Sequence, residues 1–95
     1  MHEVIRPGTP ARVRIRVRPP GARTVEVLGD FDDWTPVPLT PAGGSWSVEL
    51  DVEPGTHHFG FLVDGEWWIP EGLQGTVPDE WGRMNATMVV TEEVP

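Results

Sequence analysis

Apolar and polar residues alternate with a period of two over much of this chain. Ala11, Val13, Ile15 and Val17 interleave with Arg12, Arg14, Arg16 and Arg18. Pro19-Pro20-Gly21 stops that run, because proline brings no donor to a strand ladder. Val25 and Val27 share one face of Thr24–Leu28. Beyond Gly43-Gly44, Trp46, Val48 and Leu50 line one face of Ser45–Val52, and Ser47, Glu49 and Asp51 line the other. His57, Phe59, Phe61 and Val63 repeat the pattern over His57–Val63. Asp64-Gly65 follows as a two-residue hairpin signal, since both central positions of that turn favour positive φ. Glu66–Ile69 is the return strand and Asn85–Val90 the last one. No window carries a 3.6-residue apolar period. Short strands with turns about every 8–12 residues predict an all-β antiparallel sandwich of roughly six to eight strands. Its expected core is Val13, Ile15, Val17, Val25, Val27, Trp46, Val48, Leu50, Phe59, Phe61 and Val63.

The punctuation between these runs sets the expected limits. Residues 1–10, with Pro7-Gly8 and Pro10, read as a flexible lead-in, residues 11–90 as the sandwich and residues 91–95 as a tail. Pro36, Pro38 and Pro41 are expected to keep their stretch extended without regular pairing. Gly72, Gly75, Pro78 and Gly82 keep residues 70–83 irregular.

Composition narrows the function classes. A chain of 95 residues supports one modest core, whereas a barrel enzyme needs roughly 200 residues or more. With no cysteine there is no disulfide scaffold, thiolate metal site or thiol nucleophile. No apolar run approaches the roughly 18 residues of a membrane span, and no secretory signal is visible, so the expected compartment is the cytoplasm. The net charge is −8. Six arginines face Glu3 alone within residues 1–23, while Arg83 alone faces every other acid. An acidic body repels phosphates, which argues against nucleic acid and membrane partners. The alternation of Arg12–Arg18 reads as the solvent face of a half-buried strand.

Five tryptophans are more than so small a core absorbs. Trp46 reads as core. Trp67 and Trp68 are adjacent in a strand, so one points inward and the other outward. Trp34 and Trp81 lie in turns. An exposed indole offers a flat apolar face for a sugar ring or an anchor for a protein partner, and composition does not choose between these two uses. Asp30-Phe31-Asp32-Asp33 lacks the distal ligand of a calcium loop and reads as turn chemistry. His57 and His58 are expected on opposite sides of their strand, unable to share a metal. No cofactor is implied, and no acid pair, Ser/His/Asp set or phosphate loop stands out. The residues favour binding over catalysis.

Several segments together resemble a known family. Val27-Leu28-Gly29-Asp30-Phe31-Asp32-Asp33-Trp34, Glu53-Pro54-Gly55-Thr56-His57, Phe59-Gly60-Phe61-Leu62-Val63-Asp64-Gly65-Glu66-Trp67 and Asp79-Glu80-Trp81-Gly82-Arg83-Met84-Asn85 occur in order. They resemble the glycogen-binding domain of the AMP-activated protein kinase β subunit, and so carbohydrate-binding module family 48. The resemblance runs from about Val13 to Val90 and implies an immunoglobulin-like early-set sandwich, as at the N-terminus of isoamylase and branching enzymes. It implies non-catalytic binding of α-1,4-linked glucan (glycogen, starch or maltooligosaccharide). Trp34 and Trp67 are implied as stacking residues and Asn85 as a hydrogen-bonding partner of sugar hydroxyls. Trp81 falls where the kinase domain has a leucine that projects into the glucan's curve, and Arg83 replaces a threonine contact. Gly60 stands in place of a sugar-binding lysine, and Trp68-Ile69-Pro70 lacks the family's Asp-Pro. The alternative is a protein-docking or accessory module of a glycogen-metabolising enzyme, glycoside hydrolase or kinase.

Overall fold

Ten strands form two antiparallel sheets in the computed structural model, which describes residues 1–92. They are β1 (His2–Arg6), β2 (Ala11–Val17), β3 (Val25–Gly29), β4 (Val37–Pro38), β5 (Thr40–Ala42), β6 (Ser45–Val52), β7 (Gly55–Val63), β8 (Glu66–Trp68), β9 (Val77–Pro78) and β10 (Met84–Val90). The first sheet runs β1-β2-β6-β5, and the second runs β4-β3-β7-β10-β9 with β8 also on β7. The six strands predicted from alternation are all present.

The other four strands exceed the expectation. Residues 2–6, expected in a flexible lead-in, pair antiparallel with β2, from His2 opposite Ile15 to Arg6 opposite Arg12. Their own alternation is weak, so the partner strand supplies the order. The proline-rich stretch also pairs, contrary to expectation: β4 lies on β3 and β5 on β6. Both are short edge strands, where a missing proline donor costs no ladder bond. Of the expected tail, Thr91 and Glu92 carry no regular structure, and residues 93–95 lie outside the described residues.

The inner faces of β2, β3, β7 and β10 make the core. Val13, Ile15, Val17, Val25, Val27, Phe59 and Phe61 are buried as expected, joined by Ala11, Leu39, Val52, Ala86, Met88 and Val90. Trp46, Val48, Leu50 and Val63 are only half-buried and pack against this cluster. The reason for Val48 and Leu50 is the short edge: β5 pairs only with Ser45–Ser47 and leaves the rest of β6 uncovered.

The arginine face of β2 is solvated and ion-paired across strands. Arg14 donates to Glu3 at 2.9 Å and Glu49 at 3.1 Å, and Arg12 to Asp51 at 3.1 Å. The Asp64-Gly65 turn has φ of 51° and 84°, as the sequence demanded. The Asp64 carboxylate also accepts the Arg23 and Thr24 backbone N–H groups at 2.8 and 2.9 Å, tying two turns together. His57 and His58 both meet the Asp30 carboxylate. Asp30 meets His57 Nδ1 at 2.9 Å, accepts the His58 backbone N–H at 3.0 Å and lies 3.6 Å from His58 Nδ1. Asp30 opens the short 3-10 turn Asp30–Asp32, and from there its carboxylate reaches both residues.

Candidate functional site

The far edge of β7 is shared by two partners. β10 pairs with Gly55–Phe59 and β8 with Phe61–Val63, so the ladder changes hands at Gly60. This seam places Trp67 and Asn85 side by side on the outer face. Trp67 lies opposite Leu62 and points outward, whereas Trp68 lies opposite Phe61 and meets its ring inside at 5.9 Å. The adjacent tryptophans therefore divide between the faces, as strand geometry requires.

Gly60 makes room for the outer indole. A Cβ at this position would overlap the benzo ring of Trp67. The ring lies on the strand backbone, and its Nε1–H donates to the Met84 carbonyl at 2.9 Å. The Arg83 guanidinium covers the ring at 3.8 Å from the centroid, a cation–π distance.

Arg83 is held in place by a compact hairpin loop between β9 and β10. Asp79 N–H donates to the Arg83 carbonyl, and Gly82, at φ 82°, donates back to the Asp79 carbonyl. The Asp79 carboxylate accepts the backbone N–H of Trp81 at 3.0 Å, that of Arg83 at 2.9 Å and Arg83 Nε at 2.9 Å. Partial burial pushes this carboxyl up, but the donors from Arg83 and Trp81 outweigh it and hold the group below its ordinary value. With its backbone fixed in this way, Trp81 projects into solvent, 78% exposed.

Trp34 arrives from the other side on strained backbone. Asp33 and Trp34 both have φ of 59°, a left-handed conformation that costs a bulky residue about 1–3 kcal/mol. The turn is locked by Trp34 N–H donating to the Gly29 carbonyl at 2.8 Å and by the Thr35 hydroxyl donating to the Asp32 carbonyl at 2.8 Å. The result brings Trp34 to 6.5 Å from Trp67, tilted by 45°, within the range of an aromatic pair.

Between Trp34 and the Asp79–Arg83 loop lies a cleft of about 530 Å³, lined by Leu28, Trp34, Asp79, Trp81, Arg83 and Asn85 among others. Asn85 is only 4% exposed, and its Oδ1 has no hydrogen-bond partner. The structure thus gathers all five sequence-derived residues (Trp34, Trp67, Trp81, Arg83 and Asn85) into one cluster. It leaves Trp34 and Trp81 facing the cleft and Trp67 beneath Arg83. Asp79 opens one of the segments that carry the resemblance but has no role assigned from the sequence, although an Asp two residues before an exposed residue and three before a glycine is a turn-capping signal. Among the described residues no group of three His, Cys, Asp or Glu side chains could hold a metal ion, and no helix is long and apolar enough to cross a membrane.

The β-sandwich and its aromatic cleft are of the kind expected of a carbohydrate-binding module. The chain belongs to the family described as the glycogen recognition site of AMP-activated protein kinase, which matches residues 12–95. It is 38% identical over 65 residues to the 5'-AMP-activated protein kinase subunit beta-1 of Sus scrofa, covering 68% of this chain and 52% of that one. The corresponding subunit of Bos taurus is 36% identical over 70 residues, covering 74% of this chain and 26% of that one. The beta-2 subunit of Mus musculus is 27% identical over 86 residues, covering 90% and 31%. The chain thus spans about half the length of the pig relative and a smaller share of the others. A maltogenic amylase from S. marinus shares the fold with a TM-score of 0.77 and 20% identity, over 98% of this chain and 16% of that one.

Proposed function

We propose that this chain is a non-catalytic, cytoplasmic module that binds α-1,4-linked glucan in the cleft between Trp34 and Trp81. Asn85 Oδ1 carries this reading: it is a buried acceptor without a partner at the base of an aromatic cleft. Leaving such a group empty costs about 1–3 kcal/mol, and a sugar hydroxyl is a donor of the right size. The apolar faces of pyranose rings suit the indoles, each stack contributing about 1–3 kcal/mol by analogy with base stacking. A few stacks and hydrogen bonds at an open surface give weak binding, roughly millimolar to micromolar. The relatives, named as subunits of a protein kinase, support a module that acts beside an enzyme or kinase of glycogen metabolism.

The test is electrophoresis of the domain through gels with and without glycogen, at two salt concentrations. Retardation by glycogen, nearly independent of salt because the ligand is neutral, and lost in Trp34→Ala and Asn85→Ala, is the expected outcome. Wild-type mobility unchanged by glycogen, with no heat of binding to millimolar maltoheptaose, refutes it.

A further inference from the structure

We infer that Arg83 is the specificity-determining residue of this site: its guanidinium occupies the stacking face of Trp67 and confines the glucan to the cleft between Trp34 and Trp81. This inference rests on the glucan-binding reading above. The guanidinium lies 3.8 Å from the ring centroid, the van der Waals spacing that a stacked sugar ring would itself take. A sugar cannot share that face; it must displace Arg83. Displacement breaks the Arg83–Asp79 ion pair at 2.9 Å and disturbs a carboxylate that also anchors two backbone N–H groups of the same loop. Beneath the indole lies the Gly60 backbone. Trp67 is accordingly absent from the lining of the cleft, which Trp34, Trp81 and Asn85 share with Arg83.

The consequence is a short footprint. A cleft of about 530 Å³ takes a drug-sized ligand, which in a glucan is roughly two to three rings. A segment of that length fills it completely. The length of a longer chain finds no further aromatic surface, because the next indole is covered. Arg83 thereby limits the contact to a short segment of the glucan chain.

Removing the cover should create a longer site. Calorimetry would compare maltotriose and maltoheptaose on wild type, Arg83→Ala and the Arg83→Ala/Trp67→Phe double variant. Arg83→Ala should raise the affinity for maltoheptaose relative to maltotriose about fivefold or more, and the added Trp67→Phe should remove most of that gain. Intermolecular NOEs report the same division without relying on a Trp67 variant. In wild type, sugar protons should contact the rings of Trp34 and Trp81 only, and in Arg83→Ala those of Trp67 as well. Maltoheptaose affinity that does not rise relative to maltotriose in Arg83→Ala, or wild-type NOEs from sugar to Trp67, overturns the inference while glucan binding stands. Binding of neither sugar by wild type or Arg83→Ala overturns both readings. Binding by Arg83→Ala alone refutes glucan binding by wild type and, with it, the confinement of the glucan to the cleft.

Discussion

Gly60→Ala is a one-carbon change whose effect follows from a single contact. The added Cβ would overlap the benzo ring of Trp67. Strand β7 is paired on both sides around this point and cannot yield, so the indole must move. Three interactions go with it. The Nε1–H bond to Met84 is worth about 0.5–1.5 kcal/mol net, and the Arg83 contact about 0.5–1 kcal/mol at this exposure. The tilted pairing with Trp34 adds about 0.5–1.5 kcal/mol. Alanine returns about 0.5 kcal/mol over glycine in a strand. The net loss is about 2 kcal/mol, which lowers the melting temperature of a domain this size by roughly 8–16 °C. Thermal unfolding by circular dichroism would measure it, and the Trp67 indole N–H resonance should move toward its solvent-exposed position. Gly60→Lys, which installs the residue that the resemblance implies here, should behave in the same way rather than add a sugar donor. A Gly60→Ala domain melting within about 2 °C of wild type, with the Trp67 resonance unmoved, would refute the argument.

Phe61→Ala removes a fully buried ring that meets Phe59 at 5.8 Å and Trp68 at 5.9 Å; it should cost about 3–5 kcal/mol by chemical denaturation, and an unchanged midpoint would show the strand facing to be wrong. Trp34→Gly relieves left-handed strain of about 1–3 kcal/mol against a comparable loss of aromatic pairing, so melting should shift by only a few degrees while retention on glycogen disappears. Glu49 is held below its ordinary value by the Arg14 hydrogen bond and Asp64 by the Thr24 and Arg23 N–H groups. Both therefore stabilise the fold fully above roughly pH 4.5, and that stabilisation is lost as pH falls through their folded values. Asp32, pushed up by burial, acts in the opposite sense: its contribution is present below about pH 4 and lost as pH rises through its folded value. Melting temperature should fall on acidification below about pH 4, and less steeply in Asp64→Asn than in wild type; a rise in that range would contradict the pairing.

The long strands were legible because one face of each meets the core, so burial writes itself into the sequence as alternation. Ala11–Val17, Ser45–Val52 and Phe59–Val63 show this plainly, and the Asp64-Gly65 turn gives its own φ requirement in its residues. Residues 2–6 and the strands at Pro38, Pro41 and Pro78 are edges with little to bury, and only a neighbour's free ladder reveals them. The composition of the site was legible through the resemblance, and its arrangement was not. Gly60 could be read as a missing lysine, yet its contact with Trp67 depends on the pairing of β7 with β8. The closure of Arg83 over that ring depends on how Asp79 folds its loop. Contacts between loops from different strands leave no periodic trace.

The change of partner along β7 has a consequence for remodelling this domain. β8 leaves the edge of β7 near Phe61 and β10 rejoins the same edge at Phe59, so the two ends of residues 69–83 are anchored almost side by side. Within that segment, the Asp79–Gly82 turn beyond β9 can be exchanged or lengthened while the β9–β10 ladder and the core contacts of Ile69 and Leu73 are kept. Closing a loop of twice the length costs only about 0.6 kcal/mol more. Trp81 and the Asp79 turn therefore form a replaceable cartridge. Libraries built in this turn could explore new ligands on an unchanged scaffold, with Asn85 and Trp34 left in place as a fixed base.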